Sequence, residues 1–457
     1  MANVGRMHDW FHSYFSEEHR TVTLRTLAGR TMYLTVDPSN VEHILKTNFH
    51  NYPKGQRVHS VLQDFLGDGI FNADGETWKK HRKVASVEFS NKKLKQMSLH
   101  TFRLDALRLL HLLRHHTARP LDIQDLLMRM TMDSLCKVGF GVDLGNLSPS
   151  LPNATFGSAF DNVNAVIVTR IINPIWKIQR ALNIGKERFV KANIKILNTF
   201  TWDVIQKRKA DIQDGEIIEA REDLLSRFMK YNKGKDGAYS DVELRDSILN
   251  FMIAGRDTTA VALSWFLYCI CEHPHVADKI YKEGLDVLGL QENHQLDFEE
   301  VAQKLDYESL AKMHYLHAAL SETLRLYPPV PRDGKTVLKN DILPDGTHVE
   351  KGAQISYVPY SMGRMKFLWG PDALSYNPQR WLRDGVFQPE SPFKFSAFQA
   401  GPRICLGKES AYLQMKITAS MLLHFFKFSL VKEHTVKYRV MMVMPIANGL
   451  YVHVSPR

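Results

Sequence analysis

Phe398-Gln-Ala-Gly401-Pro-Arg403-Ile-Cys405-Leu-Gly407 is the stretch from which the fold of this 457-residue chain can be read. The cysteine has an arginine two residues before it, a glycine four residues before it and a glycine two residues after it. An uninterrupted helical pattern follows. Glycines let a backbone approach a bulky planar group closely, and backbone N–H groups directed at a sulfur stabilise it as a thiolate. The stretch therefore predicts a thiolate on a loop that leads into a helix.

A thiolate held in this way can serve as the axial ligand of a haem iron, where it donates electron density that favours O–O cleavage. The alternative for a single cysteine is a buried structural residue at a helix start. The flanking glycines, arginine and aromatic ring favour iron ligation by Cys405. The loop residues expected to contact the cofactor are Phe398, Gly401, Arg403 and Gly407. The other cysteines lie within helical patterns: Cys136, Cys269 and Cys271.

Composition limits the class of protein. Hydrophobic residues make up 44% of the chain and no Ser/Gly/Pro-rich linker divides it, so we expect a single domain over residues 1–457 whose core can enclose a cofactor. The net charge of +10 is spread along the chain, which disfavours nucleic-acid binding and favours an acidic protein partner or an anionic membrane surface. Four cysteines are too few for a secreted disulfide framework and indicate a reducing compartment.

The N-terminal residues show no signal peptide or membrane anchor, because residues 1–10 are polar and charged. The longest uncharged apolar run, 258–271, is shorter than the roughly 20 residues that span a bilayer. Two alternatives stand at this point. Either the protein is soluble, or this is a chain whose anchor is missing.

Strand signals occur near both ends of the chain. Residues 21–27 and 31–36 are β-branched or alternate in polarity, with Ala28-Gly29 as a turn, so we expect a β-rich part over about residues 20–60. Further strands are predicted at 337–339, at 354–358 and from 430 to the end, with a turn at Pro344-Asp-Gly346.

The rest of the chain has helical periodicity. Helices are predicted over 92–114, over most of 120–145 and 155–208 with a break at Asn173-Pro174, and near 301, 310–327 and 409–426, with an exposed loop at 230–238. A long helix over 240–273 begins at the capping box Ser240-Asp-Val-Glu243 and ends before Pro274. The expected fold is mainly α with a minor β portion, and the haem lies between this long helix and the helix after the cysteine loop.

The middle of the long helix reads Ala254-Gly-Arg-Asp-Thr-Thr259. A glycine in a helix interior costs about 1 kcal/mol, and threonines there bond back to carbonyls and bend the helix. Ala254 and Thr258 are four residues apart and share a face. A bent helix over a haem, with Thr258 ordering water and Asp257 in a proton path, is what oxygen activation requires. The alternative is a solvated Arg-Asp pair on a kinked helix.

Glu322-Thr-Leu-Arg325 places a carboxylate and a guanidinium on one helix face, where a surface ion pair is the default. Downstream, Arg380 lies among apolar and aromatic residues, which argues for burial. A glutamate between two arginines is costly to bury unless it is fully hydrogen-bonded. The set Glu322, Arg325 and Arg380 therefore predicts a structural lock near the cofactor.

Trp78 and Arg82, one helical turn apart, offer an indole N–H and a guanidinium to the two propionates of a haem. Arg403 and Lys335 are further candidates for the same carboxylates. A solvated basic patch is predicted beside Arg82: Lys79, Lys80 and Lys83.

In this order the motifs resemble those of a cytochrome P450, over essentially the whole chain. The matching motifs are Trp78-x-x-x-Arg82, Ala254-Gly-x-Asp-Thr-Thr259, Glu322-x-x-Arg325, Pro378-x-Arg380 and the loop 398–407. The resemblance implies one mainly helical domain that binds haem b (iron protoporphyrin IX). It also implies insertion of one oxygen atom from O2, with NADPH-derived electrons delivered by NADPH–cytochrome P450 reductase.

Longer segments resemble plant fatty-acid ω-hydroxylases, above all the branch that supplies pollen- and spore-wall sporopollenin. These segments are 6–10, 40–49, 51–55, 65–75 and 397–401. The resemblance implies hydroxylation of long-chain fatty acids at or near the terminal carbon, at the cytosolic face of the endoplasmic reticulum membrane. The chain departs from this pattern in its missing anchor and proline hinge, in Gln379 where glutamate is usual, and in Lys335 where arginine is frequent. Lysine offers a point charge in place of a bidentate fork.

Two other functions fit parts of the sequence. A haem-thiolate isomerase or dehydratase of fatty-acid hydroperoxides needs the thiolate but no proton delivery to O2, so Thr258 disfavours it. A non-catalytic haem-binding or sensor protein has no use for the complete motif at 254–259.

Overall fold

The computed structural model describes residues 3–25, 31–116, 119–148, 150–151, 155–171, 173–213, 222–231, 238–291 and 297–457. They fall into two compact units. The first unit contains residues 1–55, 116–124 and 261–457, and the second contains residues 56–115 and 125–260. The predicted fold class, mainly α with a minor β portion, is confirmed. The predicted turn at Ala28-Gly29 and most of the predicted loop at 230–238 lie outside the described residues.

A four-stranded sheet organises the first unit. Its strands are β1 (Thr21–Arg25), β2 (Thr31–Thr35), β4 (Asp333–Thr336) and β7 (Gln354–Tyr357). The spatial order is β1-β2-β7-β4, with β2 and β7 parallel and the outer pairs antiparallel. Leu34, Ile355 and Tyr357 are buried on this sheet, as expected for apolar residues in paired strands.

Shorter strands complete the β portion of the first unit. They are β3 (Leu121–Asp122), β5 (Asp341–Ile342), β6 (His348–Val349), β8 (Leu382–Arg383), β9 (Val386–Phe387), β10 (Phe426–Leu430) and β11 (Tyr451–Pro456). Strands β10, β11 and β3 form an antiparallel sheet, and β5–β6 and β8–β9 are two-stranded. The predicted turn at Pro344-Asp-Gly346 joins β5 to β6, with Gly346 at a φ of 84°.

The first unit also contains α-helices from both ends of the chain. They are α1 (Met7–His12), α2 (Pro38–Glu42), most of α12 (Thr258–Glu272), α13 (Pro274–Leu288), α14 (Phe298–Lys304), α15 (Tyr307–Lys312), α16 (His314–Leu326), α17 (Pro359–Met362), α18 (Lys366–Trp369) and α19 (Lys408–Phe425). The Asp37 side chain caps α2 by accepting from Ser39 N–H. Glu283 accepts from two N–H groups at the start of α16, which satisfies donors that a helix start leaves without partners.

The second unit is helical in its described part. Its helices are α3 (Gly55–Leu66), α4 (Gly75–Ser90), α5 (Lys92–His115), α6 (Ile123–Phe140), α7 (Thr155–Ile167), α8 (Trp176–Leu182), α9 (Gly185–Gln213), α10 (Leu224–Lys230) and α11 (Asp241–Met252). Helices α7 and α9 pack together through Phe156 and Phe200, whose ring centroids are 4.2 Å apart. The predicted break at Asn173-Pro174 is confirmed, because helix α8 begins only at Trp176.

Two strand predictions are wrong in position. The strand predicted at 337–339 lies at Asp333–Thr336, since Leu338 N–H turns away to bond the Asn51 carbonyl. Between β10 and β11, residues 431–450 form no strand, only a single bridge between Tyr438 and Ile446. The N-terminal strands stop at Thr35 because the Asp37 cap starts a helix. No helix among the described residues combines the length and the apolar character needed to cross a bilayer.

Candidate active site: the cysteine loop and the bent helix

Cys405 lies on a tight loop between a 3-10 turn, Gly401–Arg403, and the start of α19. Its backbone N–H donates to the Phe398 carbonyl across 2.8 Å, which closes the loop. The cysteine is exposed, in contrast to the buried Cys136 and Cys269. The structure therefore presents one thiol outward from a fixed backbone.

The loop keeps its shape through a close backbone approach at Gly401. This residue has a φ of 64°, and a Cβ placed there would lie 2.0 Å from the Leu45 carbonyl oxygen. Any side chain at position 401 would displace the loop from residues 43–47. Gln399, two residues earlier, also has a positive φ, of 57°, so the loop has backbone strain on the N-terminal side of its cysteine.

The residues present fit a haem. No group of three or more His, Cys, Asp or Glu side chains in the described part of the chain could hold a metal ion. One exposed thiol suits a metal that arrives with its remaining ligands in a macrocycle. Cys405 would bind the iron. The residues that flank Cys405 along the chain are Phe398, Gly401, Arg403 and Gly407.

The predicted long helix is interrupted at the motif 254–259. Helix α11 begins with the Ser240–Glu243 capping box, as predicted. Residues Ile253–Asp257 form a π-helical turn before α12 continues from Thr258. Thr258 Oγ1 donates to the Ala254 carbonyl across 2.5 Å, the back-bond that bends a helix. π-Turns of this kind occur frequently at functional sites.

Close packing against a neighbouring helix requires a glycine at position 255 in this bend. A Cβ at this position would lie 2.8 Å from a methyl carbon of Leu135 on α6. The sequence indicated a weak point in the helix, and the structure adds that a neighbouring helix occupies the space of a side chain.

Asp257 is buried and held by two donors. Its Oδ1 accepts from Arg256 across 2.7 Å and its Oδ2 accepts from Asn164 across 2.8 Å. Arg256 is also buried and pairs with Asp161 at 2.5 Å. The Arg-Asp pair is therefore not solvated, which was the alternative to a catalytic motif. Burial raises the pKa of Asp257 to about 6, against the opposing effect of Arg256.

Trp78 and Arg82 lie one turn apart on α4, Trp78 buried and Arg82 half-buried. The lysines around them are partly neutralised. Lys79 pairs with exposed Glu76 at 2.7 Å, and Lys80, which is half-buried, pairs with Glu243 at 2.5 Å. The predicted basic patch is thus solvated at Lys79 and Lys83 but not at Lys80.

Lys335 points into a buried network on β4. Its Nζ donates to Asp333 Oδ2 at 2.8 Å, and Asp333 also accepts from Lys54 at 2.5 Å. Burial lowers the pKa of Lys335 to about 7, although Asp333 acts in the opposite direction. Sequence reasoning missed Asp333 and Lys54. The Asp333–Lys335 spacing of two, which puts both side chains on one strand face, was the available signal.

Glu322 and Arg325 are fully buried, and the partly buried Arg380 joins them in one cluster. Glu322 accepts from Arg325 Nε at 2.7 Å and from Arg380 Nε at 2.9 Å. Trp381 Nε1 and the Asn377 N–H complete its shell at 2.9 and 2.8 Å. The remaining Arg325 donors reach the carbonyls of Gly363, Ala373 and Ser375. Every charge in the cluster is paired, which is the condition under which such burial is tolerated.

The structure thus sorts the predicted residues between the two units. The first unit contains the cysteine loop, Lys335 and the Glu322 cluster, and the second contains α4 and the turn at Ile253–Asp257. Their roles toward a cofactor remain predictions.

The chain was compared with protein families and known proteins. The family model described as Cytochrome P450 matches residues 2–451. Cytochrome P450 704B1 of Arabidopsis thaliana is 48% identical over 100% of this chain and 92% of that protein. Cytochrome P450 704C1 of Pinus taeda is 47% identical over 100% and 90%. Cytochrome P450 86B1 of Arabidopsis thaliana is 42% identical over 99% and 82%.

A solved structure supports the fold. The crystal structure of the cytochrome P450DA heme domain aligns with a TM-score of 0.81 and 19% identity, over 100% of this chain and 93% of that one. Together with the exposed Cys405 thiol and the interrupted helix, these matches show that the chain belongs to the cytochrome P450 family of haem b monooxygenases, which take O2 and electrons from a redox partner.

Proposed function

We propose that this cytochrome P450 hydroxylates long-chain fatty acids at or near the terminal (ω) carbon. Electrons would come from NADPH through NADPH–cytochrome P450 reductase, at the cytosolic face of the endoplasmic reticulum membrane. The observation that carries the proposal is the exposed Cys405 thiol on a chain 48% identical over its full length to a plant P450. The resemblance of residues 65–75 and 397–401 to plant fatty-acid ω-hydroxylases supplies the substrate class.

Bound haem supplies oxygen activation, and the side chains supply its setting. Cys405 holds the iron with a thiolate, while Trp78, Arg82, Arg403 and Lys335 offer donors to the propionates. The lock of Glu322, Arg325 and Arg380 holds α16 against residues 377–381. Ala254 lies in the π-turn and would offer a small side chain to the cofactor.

Thr258 and Asp257 handle protons in this proposal. The Thr258 hydroxyl is bonded to the Ala254 carbonyl and is half-buried, so it has a fixed acceptor and an oxygen able to accept from water. Burial raises the pKa of Asp257 above its ordinary value, which brings proton uptake and release by this carboxyl closer to neutral pH. Asn164 and Arg256 fix its orientation.

A fatty acid has a long apolar tail and one carboxylate. Oxidation at the ω carbon requires the terminal methyl to reach the iron while the carboxylate stays far from it. Each buried CH2 contributes about 0.8 kcal/mol, so acids of roughly 16 to 18 carbons should bind more tightly than medium-chain acids. The alternative, a hydroperoxide isomerase, has no need of the Thr258–Asp257 pair. A non-catalytic haem protein has no need of this pair either.

The test is turnover of a chain-length series with reductase and NADPH, followed by mass spectrometry. We expect NADPH-dependent, mainly terminal hydroxylation of long-chain acids. NADPH-independent rearrangement of a fatty-acid hydroperoxide would support the isomerase instead. Products from steroids or terpenes alone would refute the substrate while leaving the monooxygenase chemistry intact.

Ligation is tested separately with Cys405→Ala. Reduced protein under CO should show the red-shifted Soret band of thiolate ligation, and this variant should lose it. Cys269→Ala, a buried cysteine outside the loop, is the matched control and should keep the band. A normal spectrum in Cys405→Ala would contradict the assignment.

A further inference from the structure

Arg332 is a half-buried cation just before β4, and no carboxylate in the described part of the chain pairs with it. Among the described residues its guanidinium donates one hydrogen bond, from Nη1 to the Met32 sulfur across 3.7 Å. The guanidinium also lies 5.6 Å from the ring centroid of Phe11. Burial lowers the pKa of Arg332, against the opposing effect of Asp333. A guanidinium can donate several hydrogen bonds, so Arg332 keeps donors for a ligand.

Two carboxylates on the segments beside Arg332 already have partners. Asp333, the next residue along the chain, accepts from two lysines and one tyrosine. Asp9 on α1 accepts from the Tyr360 hydroxyl at 2.5 Å and from the Tyr438 hydroxyl at 2.8 Å. A guanidinium is the side chain best suited to bind a carboxylate through paired hydrogen bonds. The position of Arg332 therefore has the charge and the donors of an anion-binding site.

His8 adds a second polar group without a partner. It is 2% exposed, and neither of its ring nitrogens has a hydrogen-bond partner among the described residues. Buried polar groups in native proteins are almost always satisfied by protein, water or ligand. His8 and Phe11 are three residues apart on α1 and share the helix face that meets Arg332. Burial, and after it the charge of Arg332, lowers the pKa of His8 to about 4, so its imidazole is neutral and has one N–H to donate.

The Arg332 guanidinium lies on the face of the four-stranded sheet that is opposite Lys335. Met32 on β2 pairs with Gln354 on β7, and Lys335 on β4 pairs with Ile355 on β7. Gln354 and Ile355 are consecutive, so they and their partners point to opposite faces of the sheet. The hydrogen bond to the Met32 sulfur places the guanidinium on the Met32 face. The sheet thus separates Arg332 from the network around Lys335, which is the proposed propionate contact.

We propose that Arg332 binds the carboxylate of the fatty-acid substrate, with a ring N–H of His8 as a second donor. Guanidinium–carboxylate pairs are frequently bidentate and are among the stronger hydrogen bonds in proteins. The Phe11 ring and the Met32 side chain flank the guanidinium and offer apolar contacts to the first methylenes of the alkyl chain. The carboxylate is then held on the sheet face away from the propionate contact, as oxidation of the terminal methyl requires. This inference rests on the proposed function, because it takes a fatty acid as the substrate.

The experiment measures equilibrium binding of hexadecanoic acid and of its methyl ester to the haem-loaded protein, from the shift of the Soret band. The ester keeps the alkyl chain and lacks the charge, so the parent protein should bind the acid more tightly. Arg332→Met should weaken binding of the acid roughly tenfold or more and leave binding of the ester little changed, because only the acid loses a charge-assisted pair. His8→Phe should weaken binding of the acid by a smaller factor.

Two further variants complete the test. Arg332→Lys keeps the charge without the planar fork and should recover part of the preference for the acid over the ester. Arg383→Met removes an exposed arginine of the same unit and is the matched control, in which both affinities should equal those of the parent protein.

Equal losses of acid and ester binding in Arg332→Met would overturn the proposal, because the arginine would then only support the fold. An unchanged preference for the acid in this variant would also overturn it. So would displacement of the acid by an equal concentration of sodium acetate, because the site would then hold any small anion. A parent protein that prefers the acid over the ester but does not hydroxylate it with reductase and NADPH would instead contradict the proposed function alone.

Discussion

Lys335 donates a hydrogen bond from Nζ to Asp333 Oδ2 across 2.8 Å, with both side chains buried on β4. The same carboxylate accepts from Lys54 at 2.5 Å and from the Tyr357 hydroxyl at 3.1 Å. One carboxylate therefore serves two amino groups, and the network has a net positive charge when both lysines are protonated. An anionic group such as a haem propionate would complete its balance.

Asp333→Asn should destabilise the folded protein by about 3–5 kcal/mol, because it leaves buried ammonium groups without a counter-charge. Denaturant unfolding of the haem-loaded protein measures the change. Asp333→Asn/Lys335→Met should recover part of the loss, since the uncompensated charge is removed with its partner. A double variant no more stable than the single one would contradict this account.

Glu322→Gln should also cost about 3–5 kcal/mol, because Arg325 and Arg380 would lose the charge that they share. Glu308→Gln is the control. Glu308 pairs with Lys312 at 2.7 Å on an exposed helix face, and its loss should change unfolding little. Similar effects in both variants would mean that the buried cluster adds no stability.

Thr258→Ala should bind substrate and consume NADPH but release more peroxide per product. Thr258→Ser keeps the hydroxyl and should stay close to the parent protein. The ratio of peroxide to hydroxylated product is the measurement. Unchanged coupling in Thr258→Ala would place the proton route elsewhere.

Asp105 should make stability depend on pH. Burial raises its pKa to about 7, although Ser134 donates to it at 2.7 Å. The unfolded carboxyl titrates at about 3.9. Between about pH 4 and pH 7 the folded state retains a proton on Asp105 that the unfolded state releases. The contribution of Asp105 to the free energy of unfolding therefore falls as the pH rises.

Asp105→Asn should therefore be more stable than the parent protein at pH 8, with the difference shrinking toward pH 5. Asp143→Asn is the control of opposite sign, because a hydrogen bond from Arg108 lowers the pKa of Asp143. Removing this carboxyl should lower stability at neutral pH. Parallel pH profiles for Asp105→Asn and the parent protein would contradict the assignment.

We propose that the basic patch forms part of the docking face for an acidic reductase, and that docking depends on Lys79 and Lys83. Reversing Lys80 would set a carboxylate against Glu243 and disturb the fold, so the clean variant is Lys79→Glu/Lys83→Glu. This variant should slow reduction at low salt and leave substrate binding intact. The difference in reduction rate between this variant and the parent protein should vanish at high salt. Equal reduction rates at low salt would mean that the patch has another role.

Sequence reasoning succeeded where the signal was local. The Ser240–Glu243 capping box, the Cys405 loop and the Glu322–Arg325 spacing each lie within a few residues. The contacts that it missed join distant parts of the chain. Lys54 and Asp333 are 279 residues apart, and Asn164 and Asp257 are 93 apart.

Strand positions failed for a related reason. Residues 337–339 have β-forming side chains, but strand pairing is decided by what neighbours offer, and Leu338 N–H finds the Asn51 carbonyl. Periodicity reports which side chains a segment can bury. Periodicity contains no information on which backbone lies beside the segment.

The π-turn at Ile253–Asp257 makes the number of residues in this helix as important as their identity. Such a turn holds one residue more than an α-helical turn. The turn absorbs this residue locally, whereas adding or removing one residue in the regular winding of α11 would rotate Thr258 by about 100° relative to the residues before the change, so that Thr258 would leave its face. Insertions and deletions between Ser240 and Thr258 should therefore be far less tolerated in related genes than substitutions.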